Sequence, residues 1–283
     1  LGDVYKRQGP DDILISVEAI SIEGGDLINR RSTPPPLPSW IVGYAAAGTV
    51  VAVGSKVRSR TVGDRVAAFH MQGSHAERWA VPAERTWLIP DGVGMAEAAA
   101  LPISFGTAHH CLFTRGMLRQ GETVLIQAAA GGVGLAAVQL ASQAGATVIA
   151  VVSGTQRRGR LRELGADHVV DRTKDNIVDS VRQYTHGTGV DLVIDPVGTT
   201  LPVSLSALAP EGRLVFVGNA GGNSLTVDLW PAMQSNQTLM GVFMGPLFAR
   251  HGVRTSVDEM LQAVAAGRVT VVIDRIFPCL LYT

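Results

Sequence analysis

The sequence predicts an α/β protein in two parts, an antiparallel, barrel-like β domain followed by a doubly wound parallel sheet. Three observations carry this. Up to about residue 90, short alternating or β-branched runs are separated by Gly and Pro. Beyond residue 97, apolar strands alternate with helical stretches. A glycine-rich turn joins the first of those strands to the first of those helices. The parts are assigned as residues 1–97, 98–266 and 267–283, the last being the start of a return to the first domain.

In the first part, residues 13–19, 48–54 and 64–69 read as strands, each a β-rich run bounded by turn-forming residues. In the second, 123–127 lead into a helix over Gly132–Gln143, and Thr147–Val152 into a helix over 156–164. Short strands follow at 168–170, 191–195, 213–217 and 239–243, with helical connections between them. Strands so continuously apolar are buried on both faces, as in a parallel sheet. The opening 1–8 and the closing 279–283 fit neither pattern and stay outside the fold reading.

At 283 residues and 46% hydrophobic, the chain fills a sizeable core. Its 24 Lys+Arg balance 24 Asp+Glu, leaving no net field to hold nucleic acid or an anionic membrane, so the expected partner is a small molecule. Two cysteines, Cys111 and Cys279, are too few for a disulfide framework or a cysteine-rich zinc lobe and agree with a cytoplasmic location. The longest apolar runs are of strand length, so no membrane span is predicted.

The clearest chemical signal runs from Val124 to Gly134, a strand passing through a glycine-rich turn into a helix. A pyrophosphate needs backbone N–H donors at close range, which side chains on the turn would obstruct. Gly131 lets the chain approach the phosphates, Gly132 and Val133 open the helix, and Gly134 lets the helix pack on the strand. Ala129 occupies the place of the first glycine. Glycine clusters alone more often make ordinary turns; the strand before, the helix after and a second strand at the right spacing favour a dinucleotide. That second strand ends in Val151, Val152, Ser153 and Gly154, without the carboxylate that NAD-specific domains place there. Arg157 and Arg158 follow, and Arg172 lies beyond the next strand, so a 2′-phosphate is favoured and NADPH is the predicted cofactor. The alternative is a solvated helix face, since Arg160 and Arg162 are also basic.

Ala-Ala-x-Gly-Gly-Val-Gly at 128–134, Gly63-Asp64-Arg65-Val66 and Gly165-Ala166-Asp167-His168-Val169 together resemble the quinone oxidoreductase (zeta-crystallin-like) branch of the medium-chain dehydrogenases/reductases. Gly43-x-x-x-Ala47-Gly48-x-Val50, Leu101-Pro102, Asp191-x-Val193-x-Asp195-x-Val197-Gly198 and Gly212-Arg213-Leu214-Val215 extend the resemblance from about residue 12 to 278. It implies a GroES-like catalytic domain, a Rossmann domain and an active site in the cleft between them. It also implies NADPH-dependent hydride transfer to a quinone or α,β-unsaturated carbonyl, and a homodimer through an edge strand near Leu239 to Phe243. Thr107, Gly218 and Phe243 join the cofactor set on the same basis. A β-hairpin before Asp12 and a strand–helix–strand segment after Pro278, both implied by the resemblance, are missing from this sequence.

Zinc-dependent relatives place a Cys three residues before an Asp, and a Gly-His-Glu further on. Here Glu23 stands at the Cys position, Tyr44 replaces the His and Ala45 the Glu, so no metal is expected. His70, His75, His109 and His110 read as surface or capping histidines. Without a Lewis acid, hydride addition to an electron-poor C=C or quinone is the easier chemistry. Tyr44 is then either the donor to a developing enolate oxygen or a packing tyrosine. Asp26 is expected to pair with Arg30 at i,i+4, and Glu23 replaces the family's Asn on the nicotinamide side. Two other readings stay open. One is an enoyl-thioester reductase of the same superfamily, which needs a basic patch that the sequence does not display. The other is a nucleotide-binding regulatory or structural protein without turnover.

Overall fold

The structure is a computed structural model describing residues 8–32, 34, 40–222 and 225–278. Residues 1–7 and 279–283 of the two excluded end segments, Cys279 among them, lie outside the described residues. The chain divides into two compact units. One is the chain up to Gly106 together with the chain from Gly245 onward, and the other is Thr107–Met244.

The first unit holds β1 (Asp12–Ser21), α1 (Gly24–Ser32), β2 (Ala45–Val53), β3 (Arg65–Phe69), β4 (Arg78–Pro82) and β5 (Thr86–Leu88). They form one antiparallel sheet in the order β4-β1-β2-β3-β5. Alternate residues of β1 and β4 point inward, so Ile13, Ile15, Trp79 and Val81 meet Val50, Val66 and Ala68 in the core. Register shifts at Leu14/Ile15 and Val17/Ala19 bulge β1 and strengthen the twist a barrel-like sheet needs. Helix α2 (Met95–His109) carries the chain onward into the second unit.

The second unit alternates strictly: β6 (Thr123–Ile126), α3 (Gly132–Gln143), β7 (Thr147–Val152), α4 (Arg158–Glu163), β8 (His168–Asp171), α5 (Ile177–Tyr184), β9 (Val190–Asp195), α6 (Leu201–Ala207), β10 (Leu208–Phe216), α7 (Trp230–Gln234) and β11 (Thr238–Gly241). The strands make a parallel six-stranded sheet in the order β11-β10-β9-β6-β7-β8. The chain winds from β6 one way to β8 and from β9 the other way to β11. The winding reverses between β6 and β9, and in such sheets ligands bind beyond the carboxyl ends of the strands at that reversal. The last helix, α8 (His251–Ala265), clusters with the first unit although sequence order joins it to the second, and it buries Val253, Val257 and Leu261.

Candidate active site and cofactor turn

In the second unit, the turn after β6 is strained at one residue. Ala128 sits in the left-handed region at φ 47°, which costs a non-glycine residue energy and marks a turn fixed by its surroundings. The special conformation therefore falls one residue before Ala129, which is fully buried and ties the turn to β7 by donating its N–H to Val151 O at 2.9 Å. Gly131 donates to Ala128 O at 2.9 Å, and the next amide to bond back into the turn is that of Leu135, to Gly131 O at 2.8 Å. Between them, the N–H groups of Gly132, Val133 and Gly134 have no acceptor among the described residues, at the positive end of a 12-residue helix. A Cβ on Gly134 would lie 2.5 Å from Ala128 O and 2.6 Å from Ala129 Cα, so only glycine lets α3 pack this closely. A Cβ on Gly131 would meet nothing nearer than Ala128 O at 3.3 Å, so the approach to the amides is open. Unpaired amides, helix polarity and an open approach are what a pyrophosphate requires.

Ser153, Arg157, Arg158 and Arg172 gather at the ends of β7 and β8. Arg172 Nε donates to Ser153 Oγ at 2.8 Å, and Arg158 Nη2 to Asp175 Oδ2 at 3.3 Å. Arg158 Nε is buried with no partner among the described residues, and Arg157 stands exposed at the start of α4. Arg160, by contrast, pairs with Glu163 at 3.1 Å on an exposed face. Ser153 leaves the end of β7 without a carboxylate, as the sequence implies, but the neighbouring strand brings one: Val152 pairs with Asp171. Asp171 is fully buried, and its Oδ1 accepts from Gly154 N–H, Thr173 N–H and the Thr173 hydroxyl at 2.7, 3.1 and 2.7 Å. These bonds, the Thr173 hydroxyl foremost, hold its carboxyl below the usual range. Asp171 thus fixes the loop. Of the remaining cofactor candidates, Thr107 is buried in α2, and Gly218 follows β10 so closely packed that a Cβ would lie 2.6 Å from Pro196 O. Phe243 lies just beyond β11, 72% exposed.

In the first unit, Glu23, Asp26 and Tyr44 come together around α1. Asp26 does not pair with Arg30; its Oδ2 accepts the Glu23 N–H at 2.9 Å and so caps the helix, because an orphan amide at a helix start outcompetes an exposed cation. Glu23 Oε1 accepts from the Ser21 hydroxyl at 2.6 Å. Burial pushes the Glu23 carboxyl up to about 7, the Ser21 bond opposes this, and Asp26 adds to it. Asp26 is itself raised by burial, against the Glu23 N–H and His75. Tyr44 is raised by burial and then by Asp26, and its oxygen accepts a hydrogen bond from Asn29 Nδ2.

Two participants escape a reading of the sequence. Asn29 is one helical turn from Asp26, a spacing that places both on one face and was the available signal. His75 is no surface histidine: its Nε2 is buried with no partner among the described residues, close enough to Asp26 to favour the carboxylate. His110 is buried too, only 8% exposed. Among the described residues, no three His, Cys, Asp or Glu side chains are grouped to hold a metal ion.

Residues 9–105 match the family model described as the alcohol dehydrogenase GroES-like domain, and residues 132–266 the one described as zinc-binding dehydrogenase. Over 272 residues the chain is 34% identical to a quinone oxidoreductase-like protein 2 homolog of Nematostella vectensis, covering 92% of this chain and 73% of that protein. The chain belongs to the quinone oxidoreductase branch of the medium-chain dehydrogenases/reductases. As a member of that family it is an oxidoreductase with a GroES-like domain and a Rossmann-type sheet. Escherichia coli quinone oxidoreductase complexed with NADPH has the same fold, with a TM-score of 0.90 at 28% identity over 96% of this chain and 85% of that one. So does the CurK enoyl reductase, with a TM-score of 0.83 at 26% identity over 98% and 87%. No helix among the described residues is long and apolar enough to cross a membrane.

Proposed function

We propose that this chain uses NADPH to reduce a quinone or an α,β-unsaturated carbonyl without zinc. The observation that carries the reading is the turn after β6, where three amides at the start of α3 are unpaired among the described residues and Gly131 leaves them accessible. Gly131, Gly132, Val133 and Gly134 would hold the pyrophosphate over Ala129, while Arg157, Arg158, Arg172 and Ser153 would take the 2′-phosphate. Thr107, Gly218 and Phe243 complete the proposed cofactor set. When bound, NADPH supplies hydride from its nicotinamide ring.

The protein's own contribution is proton management. Tyr44 donates its hydroxyl proton to the oxygen on which charge develops, and the raised cost of its phenolate keeps it protonated until that moment. The Glu23 carboxyl, pushed up to about 7, stores a replacement proton near neutrality, and Asp26 sets the charge between them. Tyr44 and Ala45 stand where zinc relatives carry ligands, which supports a metal-free reaction. A homodimer through β11 is part of the proposal: β11 is an edge strand, and Leu229, Trp230, Met233 and Phe243 are exposed apolar side chains of the same unit. So is a cytoplasmic location, on the cysteine usage.

An enoyl-thioester reductase is the second reading, favoured by the fit to the CurK enoyl reductase. NADPH oxidation with phenanthrenequinone, a simple enone and an enoyl thioester, each with a chelator present, separates the cases. Turnover of the quinone or enone that survives the chelator is the expected result. Turnover of the thioester alone transfers the assignment to the second reading. Tight NADPH binding without any turnover leaves a nucleotide-binding protein, and no NADPH binding overturns the proposal.

A further inference from the structure

Asn29 Nδ2 donates to Tyr44 Oη, a contact spanning 15 positions in the sequence. A phenol oxygen that already receives an N–H turns its own hydrogen towards a different acceptor. The ring has neighbours on two sides: Gly25, where an added Cβ would lie 2.8 Å from Tyr44 Cε2, and the Phe69 ring, 6.4 Å away centroid to centroid. Burial and the Asp26 carboxylate both oppose a phenolate at Tyr44. Of the groups around Tyr44, Asp26 is the carboxyl whose charge opposes a phenolate, Glu23 lies beside Asp26, and so does His75. The Asn29 amide is the neighbour whose hydrogen bond grows stronger as the oxygen becomes charged.

We infer that Asn29 is a positioning residue that aims the Tyr44 hydroxyl at the substrate oxygen and holds the charge left behind when the proton departs. The inference rests on Tyr44 being the proton donor. As hydride adds to the acceptor carbon, the electron pair displaced onto the substrate oxygen forms a bond to the Tyr44 hydrogen. The Tyr44 O–H bond breaks, its pair stays on the phenolate, and the Asn29 N–H hydrogen-bonds that oxygen until a proton from the Glu23 side or from solvent restores the phenol.

Asn29 is exposed, so Asn29→Ala, Asn29→Gln and Asn29→Asp should fold, which thermal unfolding checks. Quinone reduction is measured alongside an ultraviolet difference titration of the cofactor-free protein, with Tyr44→Phe as reference. Losing a hydrogen bond to a charged group lowers kcat about ten- to a hundredfold in Asn29→Ala with KM little changed, and moves the Tyr44 phenol to ionise at higher pH. Asn29→Gln keeps a donor and recovers most of the rate. Asn29→Asp is worse than Asn29→Ala, because a carboxylate accepts the hydroxyl proton and repels the phenolate. An Asn29→Asp no worse than Asn29→Ala, or an unchanged titration in Asn29→Ala, overturns the inference. Full turnover by Tyr44→Phe overturns the donor assignment and the inference with it. A loss in Tyr44→Phe with wild-type behaviour in Asn29→Ala overturns the inference alone.

Discussion

Replacing Glu23 with Gln removes a group whose two protonation states the fold treats unequally. Burial raises its carboxyl from 4.5 to about 7. In the unfolded chain the proton leaves near the lower value and in the folded chain near the higher one. Between them the folded state binds more protons, so stability falls as pH rises through the window and levels off above it. At about 1.4 kcal/mol per pH unit, that displacement sets a ceiling of about 3 kcal/mol, which solvent screening of a half-buried group lowers. Gln keeps an oxygen for the Ser21 hydroxyl, bonded at 2.6 Å, but cannot ionise. Wild type and Glu23→Gln are therefore expected to be nearly equal in stability at about pH 4.5, with the variant gaining up to about 3 kcal/mol by about pH 8. Denaturant unfolding of both proteins across that range reads the difference directly. A difference that stays constant with pH, or that favours wild type at the alkaline end, refutes the burial argument.

Three further outcomes follow from the same geometry. Arg157→Ala should weaken NADPH roughly ten- to a hundredfold by calorimetry and leave NADH nearly unchanged; equal losses for both would return Arg157 to a solvated helix face. Gly134→Ala drives a Cβ to within 2.5 Å of Ala128 O, a backbone atom with little room to give, so it should cost about 1–3 kcal/mol in unfolding and weaken NADPH as the turn deforms. Wild-type stability and affinity in that variant would show that α3 is free to shift. Sedimentation at micromolar concentration should give a dimer, and Phe243→Glu, at a side chain 72% exposed in the monomer, should move it towards monomer; a monomeric wild type removes the β11 interface.

How much of this was legible in the sequence depended on how local the cause was. The bounds of α3 and β7 agree with those read from sequence, because a strand running through a glycine-rich turn into a helix declares itself within one stretch of chain. Strand β4 is five residues ending in Pro82 and β5 only three, too short for alternation to stand out, although Trp79 and Val81 anchor the core. Strand β10 begins five residues before the expected Arg213, with an irregularity between Leu208 and Arg213 that breaks its period. At the candidate site, Glu23 and Tyr44 were visible from the ligand positions they replace. Asp26 was visible too, but not its choice of the Glu23 N–H over Arg30, which depends on the orphan amides of a helix start. Helical spacing puts Asn29 on the face of Asp26, but its contact with Tyr44, like those of His75 beside Asp26 and Asp171 beneath Gly154, joins separate elements and is set by tertiary packing, which no spacing rule reaches.

In the proposed reaction this chain moves hydride from NADPH to carbon or quinone while a protein group supplies the proton. An enone reduced with NADPH deuterated on the transferring face of the nicotinamide, in ordinary water with a chelator present, tests it most directly. The expected product bears deuterium on the carbon β to the carbonyl and ordinary hydrogen at the α position, with the label unaffected by the chelator. A product without the label at the β carbon, or turnover that ceases when metal is removed, contradicts it.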